Sequence, residues 1–466
     1  MKSNYRSAVL GAILLIGAGS APVLAEDAKP SVEERLLEVL RQKNVITEAE
    51  YADLRSLAEE MRREETTDKA ALEREIERYV EEAQAKAAAG DAKMSGFTSG
   101  WDPSKGFYMK SADGNYSLAV GGWVQVRYTY TDYDEGDDDG GSLDPQIGAL
   151  GRPEVQDSSV LDLNRARFKV SGNIIDPNIK YLMMIETAGG SVTLRDYFID
   201  YTRFDPFNVK IGQYKVPFGR QQITSAAKLQ LMDRSRATNF FTPGRNGGAG
   251  VMAYGALGGD NDDLFEYYGG VFNGEGINTN ANDGPGMMGA ARVAFNPLGK
   301  FGYDEVDLDN SEDFKGTIGA GVVYDADDGI GVAAAPDDDI DTTTWGIDVA
   351  GKWMGLAGAA EYFMANFDPD ASGSDDFDAT GWYLQAGWLI PETSFEIAAR
   401  YGMVTDEDGA FGGEDNDFNE WTIGANYYFH KHNAKIQADW TRLTFDPDSG
   451  DETDDDLFRI QVQLMF

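Results

Sequence analysis

From Asn115 to the end, the chain is written in short segments whose apolar residues recur at every second position. In the last of them Phe458, Ile460, Val462, Leu464 and Phe466 share one parity, while Arg459, Gln461 and Gln463 share the other. Successive side chains of a strand point to opposite faces, so this period predicts a strand with one apolar and one polar side. The same alternation sets Leu118, Val120, Val124, Val126, Tyr128 and Tyr130 against Gln125, Arg127 and Thr129. Comparable segments fall near 158–175, 178–188, 191–204, 207–215, 246–256, 263–273, 287–297, 314–325, 341–354, 356–367, 378–390, 393–405, 417–430, 432–446 and 455–466, which makes sixteen strands. An even number of amphipathic strands suits an antiparallel up-and-down barrel, whose last strand closes against its first and leaves no open edge.

The connections carry a second pattern. Those after even-numbered strands are mostly brief, as at Asp176-Pro177, Asp205-Pro206, Gly355, Pro391-Glu392 and Lys431. Those after odd-numbered strands are mostly long and acidic, as at 134–139, 337–341, 368–378, 406–417 and 446–456. Short turns on one rim and long loops on the other are how barrels of the bacterial outer membrane are built. The terminal strand ending on Phe466 also resembles the signal by which the barrel-assembly machinery recognises such proteins. One stretch, 298–313, is a long connection on the supposedly short rim. Tyr128, Tyr130, Tyr197, Tyr201, Tyr427, Phe429 and Trp440 lie toward strand ends, where amphipathic rings favour the headgroup level.

The expected architecture is an all-β transmembrane barrel of about 16 antiparallel strands over 115–466, preceded by an N-terminal helical, coiled-coil-like segment. Residues 1–25 read as a secretory signal peptide: Lys2 and Arg6 precede an apolar run from Ala8 to Ala18 and a Val23-Leu24-Ala25 cleavage site. Within 26–94, Ser31 with Glu34 and Thr47 with Glu50 are helix starts. Leu54, Leu57, Met61, Leu72, Ile76 and Tyr79 then follow at three- and four-residue spacing. Charge between Glu64 and Lys69 interrupts this seam, so a periplasmic bundle and a solvated stalk both stay open. Residues 95–114 read as a linker.

Composition narrows the chemistry. The chain has no cysteine and only two histidines, His430 and His432, in 466 residues. Thiolate metal sites, disulfides and cysteine nucleophiles are therefore excluded. The histidines sit at a predicted turn with no discernible serine or aspartate partner, which argues against a barrel hydrolase, and no cofactor is expected. The net charge of −40 is unevenly spread. Residues 151–250 carry 14 Lys and Arg against 9 Asp and Glu, in contrast to 9 against 43 over 251–466.

That basic block holds the candidate pathway residues. In Leu161–Val170, Ala166, Phe168 and Val170 take the lipid-facing parity, so Arg165, Arg167 and Lys169 face the lumen. Charge on the lipid face would cost roughly 2–4 kcal/mol at the midplane. With Arg127 they form a cationic wall that would favour anions, unless carboxylates such as Asp162, Asp196 or Asp200 neutralise it. The connection 216–246 carries Arg220, Lys228, Arg234, Arg236 and Arg245 against Asp233, together with Leu229, Leu231, Phe240 and Phe241. Apolar groups there need burial, so this loop is expected to fold into the barrel as a constriction.

Val209-Lys-Ile-Gly-Gln-Tyr-Lys-Val-Pro-Phe-Gly219, with Ile223-Thr-Ser225, Asp233-Arg-Ser235, Arg165-x-Arg167 and Leu194-Arg-Asp-Tyr197, resembles the phosphate-selective porin O and P family. The resemblance implies a sixteen-stranded homotrimeric anion channel in the bacterial outer membrane, with arginines along the wall and lysines at the constriction. Its solutes would be small anions such as phosphate or polyphosphate, and its neighbours outer-membrane lipid and lipopolysaccharide. The chain departs from the family at its fifth long loop, 324–341, which has no Lys or Arg and seven acids where phosphate channels place lysines. A weakly selective general porin and an envelope tether are the alternatives. The acidic runs, Asp454-Asp-Asp456 among them, read as solvated charge ahead of a calcium or magnesium site.

Overall fold

The computed structural model describes residues 37, 40–41, 47–63, 96–103, 105–133, 157–204, 206–258, 264–279, 286–326, 340–369, 376–407, 416–447 and 452–466. The expected signal peptide and most of the acidic loops lie outside the described residues. The chain divides into two compact units, 1–93 and 94–466. Of the first, the helix α1 (Glu48–Arg63) is described, and it starts on the expected capping box. The Thr47 N–H and hydroxyl both donate to the Glu50 carboxylate at 2.8 Å, which satisfies a helix-start donor that has no intrahelical acceptor.

In the second unit sixteen antiparallel strands form a closed barrel: β3 (Ser117–Tyr133), β4 (Ser158–Ile174), β5 (Asp176–Glu186), β6 (Thr193–Phe204), β7 (Phe207–Gln213), β8 (Ala249–Leu257), β9 (Phe265–Phe272), β10 (Met288–Phe295), β11 (Lys315–Asp325), β12 (Ile340–Trp353), β13 (Leu356–Pro369), β14 (Phe377–Leu389), β15 (Phe395–Glu407), β16 (Asn416–His430), β17 (Ala434–Pro447) and β18 (Thr453–Met465). Each pairs with the next. β18 returns to β3 in register from Met465↔Trp123 to Asp455↔Tyr133. The Gly122 and Phe466 backbones exchange hydrogen bonds of 2.8 and 3.0 Å just below.

The predicted alternation is real. On β12, Trp345, Ile347 and Val349 are exposed outward, while Thr344, Asp348 and Lys352 are buried inward. On β18, Ile460, Val462 and Leu464 are exposed, and Gln461 and Gln463 are buried. A closed barrel satisfies its backbone between strands, so an apolar outer band can face hydrocarbon without orphaned polar groups. No helix among the described residues is long and apolar enough to cross a membrane.

One feature corrects the sequence reading and a second adds to it. The expected linker 95–114 contains a hairpin, β1 (Phe97–Asp102) and β2 (Gly106–Ser111). β2 pairs with β3 from Val120 to Ser117, below the point where β18 ends, and so covers a strand edge that the barrel alone leaves open. The long connection 296–314 is folded in and anchored: Phe301, Val306 and Asp307 are buried, and Asp307 accepts hydrogen bonds from Ser311 and Gly355 at 2.8 and 2.9 Å.

Residues 214–248, between β7 and β8, fold into the lumen as expected. They include two short helices, α2 (Arg220–Ile223) and α3 (Arg236–Phe241). Leu229, Leu231, Phe240 and Phe241 are all buried, and Phe241 stacks on Phe363 of β13 with centroids 5.6 Å apart. The facing wall makes room with inward glycines. A Cβ at Gly381 would lie 2.4 Å from the Phe241 ring, and one at Gly387 2.1 Å from the Gln230 amide.

Because overpacking costs about 1–3 kcal/mol, Gly381→Leu should lower the thermal unfolding midpoint of the detergent-solubilised barrel, and adding Phe241→Ala should restore part of the loss. An unchanged midpoint in the single variant would show that the loop does not pack here.

Candidate functional site

The inward loop is held to the wall by charge. Asp233 receives Arg127 at 2.7 and 3.0 Å, Arg459 at 2.9 Å and Arg165 at 3.4 Å, from strands β3, β18 and β4 respectively. Burial alone would raise the Asp233 carboxyl, but the charges of Arg127, Arg459 and Arg165 hold it well below the ordinary carboxylate range. Arg400 of β15 adds a hydrogen bond of 2.9 Å to the Asp233 carbonyl. Arg127 is therefore a brace for the loop and not an open wall cation.

Two cavities adjoin along the wall formed by β3 to β9. The outer, about 480 Å³, lies toward the long-loop rim and is lined by Arg165, Arg167, Arg195, Arg234 and Arg245 against Asp162 and Glu186. The inner, about 300 Å³, is lined by Arg167, Lys210, Lys215 and Arg245 against Asp196, together with aromatic and methionine side chains. Arg167 and Arg245 border both, which places them where the chambers meet.

Local irregularities aim these groups. β4 bulges at Asn164, since Gln125 pairs with Arg165 while Val126 pairs with Leu163. β6 bulges at Arg195, since Met184 pairs with Asp196 while Ile185 pairs with Leu194. A bulge inserts one unpaired residue and re-aims side chains, so Arg195 and Asp196 both line lumenal cavities although they are adjacent. Gln213 fixes the β6 bulge by donating to the Leu194 and Arg195 carbonyls at 2.9 and 3.1 Å. Glu186 fixes β4 by accepting from the Ala166 N–H at 2.6 Å and the Arg167 guanidinium at 2.5 Å.

The cations differ in how their charge is met. Arg167 is matched by Glu186, and Arg245 by a two-point contact with Asp196 at 2.6 and 2.8 Å. Arg234 instead donates to the Gln221, Gln222 and Thr224 carbonyls, and Lys215 to those of Gln222, Ile223 and Thr224. Neutral acceptors satisfy the donors without cancelling the charge. The Arg195 Nε has no hydrogen-bond partner among the described residues.

Of the nine candidate cations, Arg165, Arg167, Arg234 and Arg245 are brought together, and the structure puts the other five elsewhere. Arg220 is buried under the 296–314 connection, donates to the Gly302 carbonyl and stacks over Phe301 at 4.6 Å and Tyr303 at 5.0 Å. Lys228 meets Asp304 of that connection at 3.5 Å. The Arg236 backbone N–H donates to Glu420 at 2.8 Å, and the residue lines neither chamber. Lys169 faces inward as expected, half-buried, and has no hydrogen bond or ion pair among the described residues. Arg195 was missed because its parity matches Tyr197 and Ile199, which face out. A cation on that parity is itself a sign of a bulge. Bracing pairs deeper in the wall, Arg292 with Asp348 and Arg400 with Glu420, join different strands and leave no local signal in the sequence. His432 does have an acidic partner, Asp304 at 3.0 Å, though 128 positions away in sequence. Asp454 and Asp456 pair with Arg442, and no cluster suited to a metal ion occurs among the described residues.

A closed sixteen-strand barrel with an apolar outer band and a charged lumen narrowed by an inward loop defines an outer-membrane channel of the porin class. The model of the phosphate-selective porin O and P family matches residues 146–466, and the chain belongs to that family. An uncharacterised protein of Aquifex aeolicus is 27% identical over 308 residues, spanning 62% of this chain and 68% of that protein. Among solved structures, the fold is similar to the anion-selective porin of Comamonas acidovorans (TM-score 0.52, 12% identity, covering 75% of this chain and 100% of that one). It is also similar to the outer membrane channel DcaP of Acinetobacter baumannii (TM-score 0.50, 14% identity, 77% and 99%).

Removing the charge at the centre of the loop's anchor should be severe. Breaking one side of a buried ion pair costs about 3–5 kcal/mol, so Asp233→Asn should destabilise the barrel against urea and, where it folds, give noisy channels of altered conductance. Wild-type stability together with wild-type single-channel current would show that Asp233 does not anchor the loop.

Proposed function

We propose that this protein lets small anions, phosphate-like ions included, diffuse passively across the bacterial outer membrane through the two adjoining chambers. The observation that carries the reading is the outer chamber, where five guanidiniums face two carboxylates. A charge about 8 Å from an ion is worth about 0.5 kcal/mol even at the dielectric constant of water, or roughly twofold in local anion concentration. Because Asp196 also matches Arg245, the surplus is two, which favours anions by about fivefold before any gain from the lower dielectric of the lumen. Arg195 and Arg234, unmatched by carboxylates, contribute most. The acidic outer loops oppose this only within about 8 Å at physiological salt.

The pairing of Arg167 with Glu186 and of Arg245 with Asp196 favours a second reading, a general porin of weak selectivity. The reversal potential of the purified protein in a potassium chloride gradient separates the two. The anion reading expects a clear preference for chloride, and Arg195→Glu, a change of two charges, should lower the local anion concentration about fivefold and raise that of cations about fivefold, cutting the anion-to-cation permeability ratio by about twentyfold. A cation-selective wild type would end the anion reading.

The assembly is part of the same proposal. Residues 1–25 serve as export signal, and the helical segment 26–94 stands in the periplasm and helps hold a homotrimer. The apolar spacing of Leu54, Leu57 and Met61 on α1 supports an associating helix. Chemical cross-linking should give trimers that become weaker to heat when residues 26–94 are deleted; equally heat-stable trimers would leave the segment without that role.

A further inference from the structure

The inner chamber is unlike the outer one. Trp123, Phe198, Tyr214 and Tyr268 bring four rings to it, and Met184 and Met252 add soft apolar surface. Cations border the same space. Arg167 lies 5.2 Å from the Trp123 ring, and the Lys210 ammonium, paired with Asp200 at 3.5 Å, lies 4.6 Å from the Phe198 centroid and 5.4 Å from that of Tyr214. Lys215 donates to backbone carbonyls of the loop and not to a carboxylate, and the lining carboxylate, Asp196, is committed to Arg245. Trp123 is nine-tenths buried, yet its indole N–H has no acceptor among the described residues. A volume of about 300 Å³ falls at the small end of the range for small-molecule sites.

An inorganic anion gains nothing from such walls, because rings and thioethers replace none of its hydration. A solute with a charged head and an apolar body uses both halves of the lining: the head takes the cations and the free N–H, and the body displaces water from the rings and methionines. We propose that the inner chamber is a transit site for organic monocarboxylates bearing an aromatic or alkyl body, so that the channel favours these over inorganic anions and acetate. This rests on the anion reading and names its solute class.

The test uses the full-length protein in planar bilayers, with benzoate, acetate and inorganic phosphate as probes. The reversal potential in potassium chloride is recorded first, and a cation-selective wild type would defeat the underlying anion reading. In an anion-selective channel, benzoate should half-block the chloride current at a concentration at least tenfold below that of acetate or phosphate. Equal half-blocking concentrations would overturn the inference while leaving the anion reading intact. Phe198→Ser should shrink the benzoate-to-acetate ratio to less than threefold. Trp123→Phe, which removes the N–H and keeps a ring, should weaken benzoate two- to threefold and serves if the first variant fails to insert. Each ratio is taken within one channel, so the number of inserted molecules does not enter. A ratio unchanged in the variants that insert would place the discrimination outside this chamber and overturn the proposal.

Discussion

The lumen of this barrel is organised around one carboxylate. Asp233 sits on the inward loop and gathers guanidiniums from β3, β4 and β18. Two of those strands form the seam where the barrel closes. The contact therefore links the position of the loop to the closure of the wall. With Asp233 in place, three of the lumen's arginines are tied to one point, and the loop's apolar side is pressed onto Phe363 and the glycines opposite. Water and ions are left the side formed by β3 to β9. A narrowed pore displaced toward one wall thus follows from where the loop is fastened.

Charge in the lumen has two uses that a sequence does not distinguish. Where a guanidinium meets a carboxylate, as in Arg292 with Asp348 or Arg459 with Asp439, it braces the wall and adds little net field. Where it meets backbone carbonyls, as in Arg234, it is fixed just as firmly but its charge persists. Lys215 and Arg234 both converge on the carbonyls at the end of α2, the end where a helix presents unsatisfied acceptors. The loop's fold thereby positions the Arg234 charge without a counter-ion.

Most of the frame was legible from the residues. Period two over sixteen segments, with turns alternately short and long, predicted a closed barrel, and lipid outside forces charge to the lumenal parity. The inward loop was legible because Leu229, Leu231, Phe240 and Phe241 had no other means of burial. What escaped was whatever depends on breaking the period or on distant partners. Arg195 sits on the wrong parity until the β6 bulge turns it. Arg220 and Lys228 looked like pore cations because nothing local shows that residues 301–304 lie against them. The hairpin at 97–111 is hidden because its strands are only six residues each, too short to set a period apart from their neighbours.

Under the proposed anion function, the two chambers divide the problem of conduction in a physically sensible order. A solute arriving from the long-loop rim first meets guanidiniums in an open space, where Coulombic attraction acts at range and costs little hydration. Between the chambers lie Arg167 and Arg245, each already holding a carboxylate that an incoming anion must compete with. Glu186 and Asp196 thus weaken binding at the tightest charge pair. A channel needs this, because an anion held by two unopposed guanidiniums would enter readily and leave slowly. Beyond that point the rings and methionines offer weak, directionless contact, which rewards an apolar body without trapping it. Attraction at the entrance, competition at the neck and soft contact within form a graded path, and each stage is set by residues that the two bulges and the Asp233 anchor hold in place.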